Sequence, residues 1–487
     1  MNDFFLQRRA LLLGAGSALL VPSWALADAS TTTAPQTATR TPAQSAFLDD
    51  LERRTFNFFW ETTDAKTGLV PDRWPTPSFC SIAAVGFGLT AYIVGMERGF
   101  ITREQGLSRV LTTLKFFRDA PQGPEASGKA GHRGFFYHFL DMETGTRFRD
   151  CELSTIDTAL LLAGMLAVQS YFDGAAAREV EVRRIVDTIY ARVDWNGFMP
   201  RSPAICHGWS PEKGLFDHDW RAYDESQILY LLALGSPGKP VSESAYGAWA
   251  STLPRAWGEA YGQRFLRFGP LFGHQFTQCW VDMRGLSDAY LREKSPDKKL
   301  DYFENSRRAT YAQRTYATVN PMGFKGYGAT LWGVSASDGP ADTEVEIEGR
   351  KRRFISYAGR GVNGEYGPID DGTLAPYGAG ASIAFAPEIC IPALMDMKLR
   401  YGDKLYQKYG FLDSFNPTFD FPGASSRNGR VVPGMGWFNK DYLGIDQGPM
   451  LAMLANYRGE IVWKAMKKNM HLRTGLQRAG FKGGWLG

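Results

Sequence analysis

Apolar residues recur at three- and four-residue spacing along most of this 487-residue chain, and this helical periodicity constrains the fold more than any other feature. No segment shows sustained strand-like alternation, and only Glu344–Ile355 predicts a short β-hairpin, set within a loop. The predicted helices are Ala46–Trp60, Ser81–Arg98, Arg103–Arg118, Ser154–Tyr171, Glu179–Arg192, Glu225–Leu234, Tyr246–Tyr261, Thr277–Glu293, Asp301–Val319, Gly380–Tyr401, Gln447–Tyr457 and Gly459–Leu472.

These helices are of two kinds. Ser154–Tyr171 and Glu225–Leu234 are apolar nearly all round, whereas Arg103–Arg118 and Glu179–Arg192 are amphipathic and charged. A helix that is apolar on all sides is buried, and an amphipathic helix covers it from outside. We therefore predict an all-α fold over residues 46–487, an (α/α)6 toroid in which helical hairpins form an inner and an outer ring with long rim loops. An open helical solenoid is the alternative, although no fixed repeat period is visible.

The N-terminal segment predicts export. A polar head ending in Arg8-Arg9 precedes the apolar run Ala10–Val21, and Ala25-Leu26-Ala27 supplies a small-residue cleavage site. Residues 1–27 are therefore interpreted as a signal peptide, in which the paired arginines favour twin-arginine export over an ordinary secretory signal. Residues 28–45, rich in Thr, Ala and Ser, are interpreted as a flexible spacer. We expect a periplasmic or secreted protein with no membrane span in the mature chain.

Charge and composition argue against several classes of protein. The net charge is +4 and the basic residues are scattered, so no nucleic-acid partner is expected. No HxxxH or HExxH motif and no phosphate-binding glycine loop occurs, so we expect neither a catalytic metal nor a cofactor, and we expect a monomer. The odd number of cysteines without a CxxC pair indicates buried free thiols, with one disulfide left open: Cys80, Cys151, Cys206, Cys279 and Cys390.

Carboxylates lead three of the predicted helices. They occur in the segments 150–158, 223–227 and 444–449, and the candidate catalytic residues are Glu152, Asp157, Glu225 and Asp446. In a helical toroid these helix starts would converge on one central mouth. Hydrolysis of a glycosidic bond requires two carboxyl groups, one to protonate the leaving oxygen and one to activate water or attack carbon. The pattern therefore favours a polysaccharide hydrolase.

Helix capping explains some of these carboxylates equally well. Asp157 follows Ser154 at capping-box spacing, and Asp446 followed by a first-turn proline is typical of an N-cap. Glu152 lies before a cap and Glu225 follows one, so these two are the stronger catalytic candidates. Candidate substrate-binding residues lie at loop or helix ends near the acidic motifs, where aromatic rings could cover sugar faces, although a single Trp is more often core. They are Trp60, Arg73, Trp220, Tyr223, Gln227, His274, Trp332, Tyr377, Trp437 and, as a reserve that could equally be a first-turn dipole partner, Glu388.

Six motifs occur in order between Ala46 and Leu472. They are Arg54–Trp60, Ser81–Gly88, Glu152–Thr158, Tyr223–Ser226, Pro270–Gln275 and Gly444–Pro449. With these motifs the chain resembles the glucoamylase-type family that contains the bacterial β-1,2-glucanases, glycoside hydrolase family 144. The resemblance implies an (α/α)6 barrel that hydrolyses β-1,2-linked glucan with inversion and without a metal. It supports Glu152, Asp157, Glu225 and Asp446 as one cleft cluster, without assigning acid and base; a substrate hydroxyl could relay the activation of water.

One segment departs from the family pattern. Ser335–Pro376 is longer and more charged than expected and could block one end of the cleft, which leaves endo or exo action open. Three other readings also stay open: a glycosidase on the same barrel for another glucan or heteropolysaccharide, a non-catalytic periplasmic glycan-binding protein, and a lyase on a similar toroid.

Overall fold

The computed structural model describes residues 40–295, 299–362, 364, 367–426 and 428–487, and it is 45% helical. The predicted signal peptide and most of the predicted spacer lie outside the described residues. The first described helix begins at Pro42, so the spacer prediction is wrong for residues 42–45. Thr41 and Gln44 form a reciprocal capping box there, and a proline stands in the first turn, which together start the helix four residues before Ala46.

Helices and short strands alternate along the chain. The helices are α1 Pro42–Thr62, α2 Ile82–Glu97, α3 Arg103–Asp119, α4 Thr155–Tyr171, α5 Ala177–Ala191, α6 Gln227–Gly235, α7 Ser244–Ala250, α8 Leu253–Ala256, α9 Phe272–Trp280, α10 Ala289–Lys294, α11 Tyr302–Val319, α12 Pro376–Gly380, α13 Pro387–Tyr401, α14 Gly444–Gly459, α15 Ile461–Met466 and α16 Met470–Arg478, with 3-10 turns at Trp195–Phe198, Gly402–Lys404 and Gly484–Leu486. The strands are β1 Arg73–Trp74, β2 Cys80–Ser81, β3 Gly131–His132, β4 Phe135–Phe136, β5 Phe139–Leu140, β6 Leu153–Ser154, β7 Gly208–Ser210, β8 Gly214–Leu215, β9 Trp257–Ala260, β10 Gln263–Leu266, β11 Ala336–Asp338, β12 Thr343–Ile347, β13 Arg350–Phe354, β14 Tyr357–Gly359, β15 Tyr406–Gln407, β16 Gly410–Phe411, β17 Phe415–Asn416, β18 Arg430–Val432, β19 Gly436–Phe438 and β20 Tyr442–Leu443.

Four predicted helices are broken in the structure. Tyr246–Tyr261 becomes α7 and α8 followed by β9, which pairs with β10 in a hairpin. Thr277–Glu293 divides into α9 and α10, Gly380–Tyr401 into α12 and α13, and Gly459–Leu472 into α15 and α16. Prolines in the first turns of α8 and α13 start new helices there. The eight other predicted helices are confirmed within a few residues at each end.

The two kinds of helix occupy two layers, as predicted. Side chains all along α2 and α4 are buried, and the two helices cross at Gly86 and Gly164, where a Cβ on Gly164 would lie 2.1 Å from the Gly86 carbonyl oxygen. The amphipathic helices α3 and α5 pack outside them and are joined by ion pairs of 2.9 Å (Arg103–Glu179) and 3.0 Å (Lys115–Glu181). The five cysteines are buried free thiols. In the part of the chain that the structure describes, no helix is long and apolar enough to cross a membrane.

Short strand pairs stand at the starts of inner helices. Strand β2 pairs with β5 immediately before α2, β6 pairs with β7 before α4, and β20 pairs with β1 before α14. These ladders satisfy backbone groups beside each helix start and fix the direction in which each helix enters the core. The sequence did not predict them, because two-residue strands leave no measurable alternation.

The segment Ser335–Pro376 is a two-part structure. Strand β11 pairs with β14, and between them the predicted hairpin is confirmed as β12 paired with β13, with Glu344 opposite Arg353. The hairpin packs through Phe354 onto Phe419 and Trp437. The two outer strands are therefore held separately from the hairpin between them.

Candidate active site

One cavity of about 680 Å³ opens where inner helices begin. The starts of α4, α9, α12 and α14, the segments just before α2 and α6, and strands β11 and β14 all contribute to it. Its principal lining side chains are Asp72, Ser81, His138, Asp157, Arg201, His207, Asp217, His218, Asp219, Trp220, Arg221, Asp224, Glu225, Phe268, Phe272, Phe276, Tyr357, Tyr377 and Asp446. Of the four candidate catalytic residues, Asp157, Glu225 and Asp446 line this one cavity.

Glu152 is not part of the cavity lining, although its side chain is 19% exposed. Its carboxylate is 2.8 Å from Nδ1 of His138, and Nε2 of His138 is 3.6 Å from the Asp157 carboxylate. His138 and Asp157 line the cavity and Glu152 does not, so the expectation that Glu152 contacts substrate is corrected. Ser154, the cap of α4, donates its hydroxyl to the buried Asp157 carboxylate. A row of carboxylate, imidazole and carboxylate thus connects Glu152 through His138 to Asp157 in the cavity lining.

Glu225 and Asp224 stand side by side in the turn before α6. The Asp224 carboxylate accepts hydrogen bonds from the backbone and hydroxyl of Ser226 and so shapes this turn. Burial, and then the neighbouring Glu225 carboxylate, raise the pKa of Asp224 well above its usual value. Both carboxyl groups line the cavity, and that of Asp224 also holds the turn together.

Asp446 lies in the first turn of α14 and is 4% exposed. Its carboxyl group lies beside that of Asp413, a fully buried residue from the loop before β17, and Nε2 of Gln447 ties the first turn of α14 to the Phe411 carbonyl oxygen at the start of the same loop at 2.8 Å. Burial raises the pKa of Asp446 well above its usual value, and the Asp413 carboxylate raises it further. Asp446 is therefore a carboxyl group that holds a proton more tightly than an exposed aspartate.

Arg73 is the counterion of the surrounding acidic groups and does not line the cavity. Its guanidinium is 2.7 Å from Asp338, 3.4 Å from Asp72 and 3.8 Å from Asp441. The prediction that Arg73 binds substrate is corrected, because the side chain is used to neutralise buried carboxylates.

The aromatic walls agree only in part with the prediction. Trp220 stacks on His207 at 3.9 Å and Tyr377 donates to Ser335, and both line the cavity. Trp332 and Trp437 are fully buried outside the lining and belong to the core. Trp60 lies in a separate shallow depression on the outer surface, under the guanidinium of Arg109.

Four further predicted substrate contacts lie outside the cavity lining. Tyr223 bonds its hydroxyl to Nδ1 of His274 at 3.1 Å, both in the core, and burial lowers the pKa of His274 to about 4. Gln227 donates to the hydroxyl of Tyr246. Glu388 forms an ion pair with Arg307 at 2.7 Å. These four predictions are corrected: the side chains are hydrogen-bonded or paired within the protein.

Two residues of the cavity lining, His138 and Asp72, and the buried Asp413 beside Asp446 are not predicted from the sequence. His138 interrupts an otherwise apolar run of six residues, Phe135–Leu140, and a polar side chain in such a run must find a buried partner. That signal could have identified it. Asp72 and Asp413 lie in irregular segments, where no periodicity indicates which way a side chain points.

The chain is similar to a described protein family and to proteins that act on β-1,2-linked glucans. Residues 217–470, just over half of the chain, match the family described as "Glycoamylase: Putative glucoamylase". The chain is 27% identical over 463 residues to an exo beta-1,2-glucooligosaccharide sophorohydrolase (non-reducing end) of Parabacteroides distasonis, covering 88% of this chain and 57% of that protein. The chain thus spans little more than half the length of this curated relative.

Solved structures align over almost the whole chain. An endo-beta-1,2-glucanase from Chitinophaga pinensis, in complex with sophorotriose and glucose, aligns with a TM-score of 0.75 at 26% identity, covering 91% of this chain and 99% of that one. A protein from Bacteroides uniformis described as a "putative glucoamylase" aligns with a TM-score of 0.76 at 29% identity, covering 92% of this chain and 100% of that one.

Proposed function

The chain belongs to the glycoamylase family, and we propose that it is a glycoside hydrolase that cleaves β-1,2-linked glucan with inversion. The observation that carries this proposal is the convergence of Glu225, Asp446 and Asp157 from three separate helix starts on one cavity with aromatic walls. Aromatic rings cover the apolar faces of sugars, and carboxyl groups transfer the protons that glycosidic cleavage requires. The two β-1,2-glucan-acting relatives supply the linkage.

Glu225 is the proton donor in this proposal and Asp446 is the proton acceptor. If Asp446 gave its proton away, two neighbouring carboxylates would both be charged in a buried site. If Asp446 accepts a proton, the pair becomes neutral, which burial favours. The acceptor role is therefore the one that the surroundings of Asp446 support, and it leaves donation to Glu225.

Glu152 is a positioning residue in this proposal. Its carboxylate accepts from Nδ1 of His138, which selects the ring nitrogen that carries a proton and holds the ring against the cavity wall. The other ring nitrogen of His138, Nε2, then lies beside Asp157, where substrate would bind. Loss of Glu152 should therefore weaken substrate binding more than it slows the chemical step.

The predicted (α/α)6 closure and export belong to the same proposal. Buried α2, α4, α6 and α14 and the more exposed α3 and α5 support an inner and an outer ring. Export to the periplasm is supported by the Arg8-Arg9 motif and the Ala25-Leu26-Ala27 site. N-terminal sequencing of protein recovered from the periplasm would test cleavage after Ala27.

The decisive experiment is incubation of the purified protein with a panel of linear glucans of β-1,2, β-1,3, β-1,4 and α-1,4 linkage. We expect products from the β-1,2-glucan alone, with the α-anomer appearing first by NMR because the reaction inverts. Release of disaccharide alone would indicate exo action, and a ladder of oligosaccharides would indicate endo action. Tight binding of β-1,2-glucan without products would contradict the enzyme and support a glycan-binding protein.

A further inference from the structure

We propose that Asp413 is a positioning residue that shares a single proton with Asp446, so that the two carboxyl groups act together as the proton acceptor. This inference deepens the proposed hydrolase function and rests on it for the catalytic step. The proton sharing itself is a property of the folded protein and can be tested without substrate.

The contact between the two carboxyl groups requires a proton. The first turn of α14 packs against the loop that carries Asp413, because Nε2 of Gln447 donates to the Phe411 carbonyl oxygen at 2.8 Å. The Asp413 and Asp446 carboxyl groups interact there, and they can hydrogen-bond only if one of them is protonated, because a carboxylate has no hydrogen to donate. Within the described residues, Oδ1 of Asp413 and Oδ2 of Asp446 are buried and find no N–H or O–H donor. One shared proton satisfies this arrangement, whereas two bare carboxylates would repel each other.

The donors around the pair decide which member is charged. Oδ2 of Asp413 accepts from the Ser414 hydroxyl at 2.7 Å, from Nδ2 of Asn439 at 2.8 Å and from the backbone of Asp338 at 3.1 Å. Three donors stabilise a carboxylate on Asp413. The proton therefore resides on Asp446, where it points toward Asp413.

Other charged and titratable groups face the pair from neighbouring segments. The acidic groups repel negative charge on the pair less than their number suggests. Arg73 lies among three of them and neutralises part of their charge. The groups are Asp72, Arg73, Asp338, Arg360, Tyr377 and Asp441. Their combined field opposes a second negative charge on the pair, so the singly protonated form is the resting state.

The catalytic step then balances as follows. The O–H bond of the attacking water breaks, and its proton joins the Asp446 carboxyl while the shared proton passes to Asp413. The water oxygen forms the new bond to the anomeric carbon as the glycosidic C–O bond breaks, and the leaving oxygen takes the proton of Glu225. The pair later returns one proton to solvent, and Glu225 regains one. No oxidant or further reactant takes part.

Infrared spectroscopy tests the shared proton directly. The spectrum of the wild-type protein at neutral pH minus that of Asp413→Asn should contain one protonated-carboxyl band, and subtraction of Asp446→Asn should give the same band. Asp288→Asn is the matched control, since Asp288 is a buried aspartate that accepts from Tyr246 and Tyr302 outside the cavity lining. Its difference spectrum should lack the band. A wild-type band that survives in Asp413→Asn would overturn the proposal.

Kinetics on β-1,2-glucan test the consequence for catalysis. Asp413→Asn should lower kcat about tenfold or more with KM within about threefold. Asn439→Ser removes a hydrogen-bond donor that stabilises the charged carboxylate of Asp413. The proton affinity of the pair should therefore rise, and the acidic limb of the profile of kcat against pH should move to higher pH. This second variant leaves both carboxyl groups in place. An acidic limb identical to wild type in Asn439→Ser would contradict the role of Asp413.

The two readouts separate this inference from the proposed function. A wild-type protein that shows the shared band but hydrolyses no glucan would refute the hydrolase and, with it, the catalytic role of Asp413. A wild-type protein that hydrolyses β-1,2-glucan but shows no common band would refute proton sharing alone.

Discussion

Replacement of Arg360 by Met should loosen one wall of the cavity. Arg360 is fully buried and donates to both carboxylate oxygens of Asp371, at 2.7 and 2.9 Å, and to the carbonyl oxygens of Ser337 and Ile355, at 2.7 and 2.6 Å. It thereby holds together β11 and β14, which contribute Ser337 and Tyr357 to the cavity. The Arg360→Met change leaves the Asp371 carboxylate buried without its counterion.

We expect a loss of about 3–5 kcal/mol in the free energy of unfolding, because removal of one partner leaves an uncompensated buried charge. KM for glucan should rise, because Arg360 no longer holds β11 and β14 together at the cavity wall. Burial acts to raise the pKa of Asp371, but Arg360 outweighs it and holds that pKa below its usual value. Without Arg360 the pKa rises above the unfolded value. The variant's deficit should therefore be largest at neutral pH and should shrink as the pH falls through that raised pKa.

The assay is denaturant unfolding followed by Trp fluorescence at several pH values, together with KM on glucan. Arg353→Met is the matched control, the same change at an exposed position of the same segment, and should alter stability by under about 0.5 kcal/mol. Adding Asp371→Asn to Arg360→Met should recover part of the loss. A loss below about 1 kcal/mol for Arg360→Met would refute the reasoning, because that is the value of an exposed ion pair.

Four further outcomes follow from the site and the core. Glu225→Gln should lower kcat about a hundredfold or more while calorimetry still detects substrate binding; full activity would remove the proton-donor assignment. Glu152→Gln should raise KM more than it lowers kcat, because it acts through His138; a loss confined to kcat would argue for direct catalysis. Trp332→Ala should destabilise the fold by about 3–5 kcal/mol and leave KM unchanged in the folded fraction. A raised KM would indicate that Trp332 contacts substrate after all. Burial raises the pKa of Asp370 to about 6, so just below that pH the folded state binds more protons than the unfolded state. Stability should therefore fall as the pH rises toward 6 and through it. Asp370→Asn should flatten this part of the profile of stability against pH, and an unchanged profile would be evidence against the raised pKa.

Helix existence could be predicted where one local signal dominates. Thr155–Tyr171 is apolar for four turns and follows a serine cap, so periodicity and capping agree. The stretch Tyr246–Tyr261 has the same apolar spacing, yet it forms two short helices and then the strand Trp257–Ala260. Gly262 takes a positive φ of 76° that turns the chain back. In the returning strand the Leu266 N–H donates to Oδ1 of Asn305 on a distant helix, and the Leu266 carbonyl oxygen accepts from Nδ2 of the same side chain. That contact is tertiary and leaves no trace in the local pattern.

The site could be predicted as far as helix starts define it. Glu225, Asp446 and Asp157 were found because a carboxylate at the beginning of an inner helix must lie at the mouth of the fold. Glu152 was misplaced because the sequence shows proximity to a helix start but not that His138 stands between it and the cavity. Trp437 was misplaced because a position at a loop end does not determine the direction of the side chain.

The division of Ser335–Pro376 into wall strands and a separate hairpin makes the hairpin tip a natural attachment point. The turn at Glu348-Gly349 is exposed, a side chain at Gly349 would meet open space, and the hairpin's contacts run to Phe419 and Trp437 rather than to the cavity lining. An affinity handle or a fluorescent domain grafted there would leave β11 and β14 paired. The protein could then be tethered to a solid support by this tip, with its cavity still open to long chains arriving from solution.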